Sequence, residues 1–131
     1  MDSTLKEEII DKLKQILDSI NVIQERSVEF HSVSDFLRTS WGVTVMDSCV
    51  MRLQVIGETI KSIEDKTHGT LLGRYPQIPW SKVIGLRNII SHEYANIDYD
   101  IVWNIINKHL TPLKEVVEQL IEDLWYQWII Y

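Results

Sequence analysis

Apolar residues recur at every third or fourth position through most of this chain, a period that fits helices, and no strand signal competes with it. The first stretch runs from about Ser3 to Glu25, with Leu5, Ile9, Leu13, Ile16, Leu17, Ile20 and Ile23 on one face. Ser3, with Lys6 three residues on, is a partial cap, and Glu7 and Glu8 suit the positive end of a helix dipole. A second helix is expected from about Thr44 to Asp65, its stripe formed by Met46, Cys49, Val50, Leu53, Ile56, Ile60 and Ile63. Gly57 lies inside that stripe, where glycine costs ~1 kcal/mol against alanine. Close approach of a neighbouring helix would offset that cost, and Glu58 would lie beside the contact.

Between these helices, Arg26 to Gly42 breaks the period and reads as a connector with one short helical turn around Ser34 to Arg38. Phe30, Phe36 and Trp41 are the residues expected to pin it to the body. Thr67 to Pro79 holds Gly69, Gly73, Pro76 and Pro79, a density of breakers that marks the main loop. A third helix is expected from Trp80 to His92 or Tyr94, with Val83, Leu86 and Ile90 inward and Tyr94 a further candidate for that face. Asp98 is a good N-cap for a fourth, about Tyr99 to Trp125, which Pro112 should kink or split after His109-Leu110. The expected architecture is an all-α antiparallel four-helix bundle, one domain over residues 1–131, with an extra helical turn in the first connector. The aromatic tail from Trp125 to Tyr131 has three readings: a helix packed on its own domain, a self-association patch, or an interfacial anchor. The third is the weakest, because the tail has no basic face.

Composition narrows the functional classes. The net charge is -6, and no basic cluster of the kind a dedicated DNA-binding domain displays is present. Nucleic-acid contact must then rest on a few local cations, and the acidity also suits a basic protein partner. The one cysteine, Cys49, excludes an intrachain disulfide, and its apolar setting suggests a small buried hydrophobe rather than a reactive thiol. A reducing cytoplasm suits this usage. The N-terminus lacks a signal-peptide pattern, and no apolar run approaches the ~20 residues of a membrane span.

His31, His68, His92 and His109 show no His-x-x-x-His spacing, so metal and cofactor sites have no sequence support. Phosphate-binding glycine loops and a Gly-x-Ser-x-Gly elbow are missing too. What stands out is Arg87-Asn88-Ile89-Ile90-Ser91-His92-Glu93-Tyr94. On an ideal helix Arg87, Ser91 and Tyr94 share a stripe, Asn88 and His92 share another, and Arg87 and His92 are ~140° apart. A two-fold axis beside this helix would let each stripe face the other across one cleft.

Such a cleft could cleave RNA without a metal, since RNA carries its own nucleophile. Imidazole titrates near neutral pH and can take the 2′-hydroxyl proton or protonate the leaving oxygen. Guanidinium offers a fork of donors to the phosphate and stays charged as negative charge builds. Asn88 could orient either partner. Taken singly, an arginine near a helix end is usually a capping or ion-paired residue, and a lone histidine is usually structural. The whole string Arg-Asn-x-x-x-His-x-Tyr arises by chance on the order of once in ten thousand chains.

This string resembles the Arg-x(4-6)-His signature of HEPN ribonucleases, and Tyr94 narrows the likeness to the HepT type. The resemblance also takes in Ile56-Gly57-Glu58, Tyr75-Pro76-Gln77-Ile78-Pro79-Trp80, Gly85-Leu86-Arg87-Asn88 and Ile97 to Trp103, and it covers roughly Leu5 to Asp123. It implies a HEPN bundle acting as the toxin of a prokaryotic toxin-antitoxin pair: a homodimer, or a higher oligomer, that cuts RNA without a metal. Arg87 and His92 would be catalytic, Asn88 supporting, and Tyr94 the site where a nucleotidyltransferase antitoxin attaches AMP. Glu58 and Ser91 are further supporting candidates, and for Glu58 plain solvation is an equal alternative. A non-catalytic module that binds a nucleotidyltransferase or a nucleotide is the rival reading. A chain that lends binding residues to such an enzyme is a third.

Overall fold

The structure is a computed structural model that describes residues 1–89 and 97–130, with side chains described as far as Tyr126. Every regular element among these residues is helical. Helix α1 spans Ser3–Ser27 and buries Ile9, Ile10, Leu13, Ile16, Ile20 and Ile23, while Leu5 and Leu17 are only half-buried. Its N-cap is Asp2, not Ser3: the Asp2 carboxylate accepts from the Leu5 amide at 2.8 Å, a charge-assisted bond that a serine one position later does not offer.

The connector holds the expected turn as helix α2, Val33–Leu37, capped by Ser32 and further tied by a bond from the His31 amide to Asp35. Phe36 is fully buried, stacks on Phe30 at 4.1 Å and meets Trp103 edge-on at 5.7 Å. Trp41 does not pin the connector: it is 64% exposed, and its indole donates to Glu29.

Helix α3 spans Ser40–Lys66 and so begins one turn before the expected start. Thr39 caps it, and a Cβ on Gly42 would stand 2.1 Å from the Phe36 carbonyl oxygen. Gly42 is therefore not a loop residue but the place where α3 passes against the backbone of α2.

The loop after α3 contains a 3-10 turn at Leu72–Arg74, and it is fastened at both ends. Thr67 returns its hydroxyl to the Ile63 carbonyl, and the Trp80 indole donates to the Tyr75 carbonyl at 2.9 Å. The Tyr75 hydroxyl donates to the Asp123 carboxylate, far along the last helix.

Helix α4, Trp80–Gly85, then tightens into a 3-10 turn at Leu86–Asn88. The expected continuation to His92 or Tyr94, with Ile90 inward, lies outside the described residues. Helix α5, Tyr99–Asn104, is capped by Asp98 as expected, and leads through a π-helical turn at Ile105–His109 into α6, Leu110–Ile130. The irregularity ends at His109, where Pro112 was expected to disturb the helix. The proline ring has no N–H and would strike the carbonyl of Lys108, which lies inside the widened turn.

One apolar core runs through the bundle. It joins the inner faces of α1, α3 and α6 and takes in Trp80 and Val83 of α4, Val102 of α5, and Ile106. Helix α1 packs on α3 and α6, and α4 with its 3-10 turn packs on α3.

Candidate active site

The site is organised by a glycine. A Cβ on Gly57 would stand 2.4 Å from the backbone nitrogen of Arg87, and 3.0 Å from both the Leu86 carbonyl carbon and the Val83 oxygen. No side chain could be accommodated there without moving backbone. The α3 glycine thus lets the end of α4 lie directly on α3, and Arg87 stands at the point of closest approach. Two motif segments some thirty positions apart, Ile56-Gly57-Glu58 and Gly85-Leu86-Arg87-Asn88, are in contact.

At this point the side chains of Arg87 and Asn88 are exposed, as is that of Glu58 on α3. Arg87 makes no salt bridge among the described residues, with Glu58 or any other carboxylate. A guanidinium can offer a pair of N–H donors to a phosphate. The 3-10 turn also changes the angular arithmetic. Over Leu86–Asn88 its ~120° per residue replaces the ~100° assumed for a straight helix. Ser91, His92 and Tyr94 lie outside the described residues.

Behind the 3-10 turn lies a feature that the sequence did not announce. A groove of about 970 Å³ runs between α4 on one wall and α5, the π turn and the start of α6 on the other. Leu86 and Ile89 line it, while Arg87 and Asn88, between them in sequence, do not. Lys82, Asn104 and His109 bring polar groups to it. Nothing in the spacing of either wall marks the groove, because it is the gap between two helices.

Cys49 is fully buried, and burial pushes its thiol up to about 11, with the Arg26 guanidinium acting weakly in the opposite direction. The hydrophobic reading of Cys49 is the one observed. No group of three or more histidine, cysteine, aspartate or glutamate side chains gathers among the described residues. No helix among them is long and apolar enough to cross a membrane.

An all-α bundle whose short fourth helix ends on a glycine of its neighbour, with an exposed Arg-Asn pair at that end, defines the HEPN class. Within that class the chain belongs to the family described as ribonuclease HepT-like, which matches residues 6–120. A protein of Methanocaldococcus jannaschii provisionally named an RNase is 30% identical over 118 residues, which is 89% of this chain and 84% of that one. A second from the same organism, also provisionally named an RNase, is 29% identical, over 81% of this chain and 90% of its own. A Thermococcus cleftensis protein provisionally named ribonuclease HepT is 27% identical, over 84% and 93% of the two chains. No solved structure matches the chain.

Proposed function

We propose that this protein is an RNA-cutting toxin of a prokaryotic toxin-antitoxin pair, acting as a homodimer through Arg87 and His92. The observation that carries the reading is the contact of Gly57 with the Arg87 backbone. It brings the motif arginine to a fixed, exposed position in a chain of a ribonuclease family.

In the proposed reaction the ribose 2′-oxygen attacks the adjacent phosphorus, and the bond from phosphorus to the 5′-oxygen breaks. The products are a 2′,3′-cyclic phosphate and a free 5′-hydroxyl. His92 removes the 2′-proton or supplies one to the leaving oxygen, and two copies facing one cleft can divide these tasks. Arg87 holds the phosphoryl oxygens through the charge build-up, and Asn88 orients the phosphate or the imidazole. DNA lacks the nucleophile and is spared.

The proposed antitoxin is a nucleotidyltransferase. The Tyr94 oxygen displaces pyrophosphate from ATP and acquires AMP, which sets a negative phosphate and a bulky nucleoside beside the motif. That neutralises Arg87 and closes the cleft.

Expression of the wild type should arrest growth and release cyclic-phosphate RNA ends, and Arg87→Ala and His92→Ala should do neither while remaining folded. Co-expression with the nucleotidyltransferase should add mass in steps of AMP, and Tyr94→Phe should abolish the addition. Folded Arg87→Ala and His92→Ala proteins that still cut RNA would remove the catalytic assignment. A wild-type dimer that binds the nucleotidyltransferase but leaves RNA intact would establish the non-catalytic alternative.

A further inference from the structure

Helix α3 carries a second stripe, on the side turned away from the core. Trp41, Thr44, Ser48, Met51, Val55 and Glu58 follow one another at alternating steps of three and four, the spacing with which one helix packs along another. Trp41 and Met51 are each 64% exposed and Val55 is 39% exposed, so the bundle leaves the apolar members of the stripe largely uncovered. The two flanks of the stripe differ. Counted at ~100° per residue from the midpoint of Met51 and Val55, Arg52 lies ~80° to one side and Gly57 ~140° to the other. On the first side is α1, tied by Arg52 to Asp18 at 3.7 Å. On the second is the end of α4, with the Arg87 backbone against Gly57.

The charges on this face complement their own copies. The Arg26 guanidinium, from α1, donates to the Ser48 hydroxyl and makes no ion pair among the described residues. Glu58, ten positions further along α3, is exposed and makes no ion pair among them either. When a second α3 is laid antiparallel on the first, with Met51 of each copy against Val55 of the other, Ser48 of each falls opposite Glu58 of the other. Each Arg26 then faces a carboxylate, twice over by symmetry. The size is also sufficient. From Trp41 to Glu58 the stripe is ~26 Å long, and the ~800 Å² per partner of a stable interface needs a width of ~30 Å, which is that of three helices side by side. Helix α3 with α1 and α4 on its flanks supplies three.

We propose that two copies of this chain pair antiparallel through the outer face of α3, with Met51 against Val55 and Arg26 against Glu58 between chains, and that this pairing brings both Arg87 residues to one side. The inference rests on the shared-cleft reading above and gives the cleft its surface. A two-fold axis perpendicular to α3 sets like flanks together, α1 beside α1 and one end of α4 beside the other, whereas an axis parallel to the helix would send the two Arg87 to opposite sides. In the antiparallel register the two Gly57–Arg87 contacts are offset by ~12 Å along the helices. Glu58 thereby acts between chains, and not by holding Arg87 of its own.

The test is the mass of the full-length protein by sedimentation over a range of concentrations, with RNA cutting followed in parallel. Met51 is exposed on the single chain, so Met51→Glu should fold with unchanged helical circular dichroism. It sets two carboxylates into the apolar centre of the pair and should sediment as a monomer at concentrations where the wild type is a dimer. Arg26→Glu and Glu58→Arg should each weaken the dimer about tenfold, since either creates two like-charge contacts, and the weakening should shrink as salt is raised. The double variant Arg26→Glu/Glu58→Arg restores opposite charges and should return to within about threefold of the wild type. That rescue separates a contact between chains from any effect of Arg26 on its own bundle.

A Met51→Glu protein that stays dimeric overturns this face. So does a double variant no tighter than the single ones, or a wild type that sediments as a monomer. In any of these cases a wild type that still cuts RNA leaves the ribonuclease reading in place. If the dimer is lost in Met51→Glu and regained in the double variant, but the wild type leaves RNA intact, the face stands and the ribonuclease reading falls.

Discussion

At the scale of single residues, two glycines on facing sides of one contact have opposite duties. Gly57 is pressed against the Arg87 backbone, whereas a Cβ on Gly85 would meet nothing within 4 Å among the described residues. Gly57→Ala must push α4 away from α3, because the atom it meets belongs to the main chain. Thermal unfolding should show a loss of about 1–3 kcal/mol, the usual cost of overpacking. RNA cleavage should fall further than that loss explains, since Arg87 moves with its backbone. Gly85→Ala should be neutral or gain about 0.4–1 kcal/mol by stiffening the unfolded chain. Equal effects of the two alanines would show that the close contact is not what holds Arg87. Gly57 was legible beforehand as a helix crossing, because a glycine inside an apolar stripe needs a reason. Trp41 was misread because aromatic character suggests burial, and only the fold shows that α3 begins at Ser40 and turns this side chain to solvent. Cys49 offers a second check. With burial raising its thiol to about 11 against an ordinary 9.0, native protein should alkylate at pH 8 at least ~100-fold more slowly than protein in urea. Fast native alkylation would contradict the packing around it.

At the scale of elements, the long helices were legible because a 3.6-residue period sustained over twenty or more positions has few alternatives. The end of α4 was not, because α and 3-10 turns both favour contacts three residues apart and differ only in backbone hydrogen bonding. The Tyr75–Asp123 bond was equally invisible, since it joins a loop to a helix far along the chain. It ties the loop that launches α4 to α6. Tyr75→Phe should lower stability at pH 7 by about 1 kcal/mol, the ordinary net value of one such bond, read from the urea midpoint. Its pH signature is specific. Burial first, then the hydrogen bond to Asp123 and that carboxylate's charge, raise the phenol from 10.0 to about 12. The folded state therefore holds this proton more tightly than the unfolded state does. The associated stability is complete below pH 10 and disappears as pH rises through about 12. The gap between wild type and Tyr75→Phe should close over that window. A gap that stays constant to the alkaline limit would mean the hydroxyl is not bonded to a carboxylate.

At the scale of the whole molecule, a chain of net charge -6 needs a reason to hold RNA, and the proposed pairing of two copies of one exposed arginine would supply it. The proposed two-fold cleft leaves a choice that one subunit cannot make: Arg87 serves a phosphate together either with His92 of its own chain or with that of its partner. Mixing two inactive proteins separates these cases. In a heterodimer of Arg87→Ala with His92→Ala, every chain lacks one member of its own pair, yet one intact arginine faces one intact histidine across the axis. If the productive pair is formed between chains, unfolding and reassembling an equal mixture should restore activity. Half of the dimers are then mixed and each carries one of two pairs, so the recovery expected for isologous symmetry is about one quarter of the wild-type rate. If the pair lies within one chain, no mixture recovers anything, and the dimer serves to enclose the substrate rather than to complete the site. The recovered fraction should also vary with the product of the two proteins' proportions, peaking at equal amounts, because only mixed dimers contribute. A recovery that rises in simple proportion to one component would instead reveal residual activity in that variant and remove the case for a shared cleft.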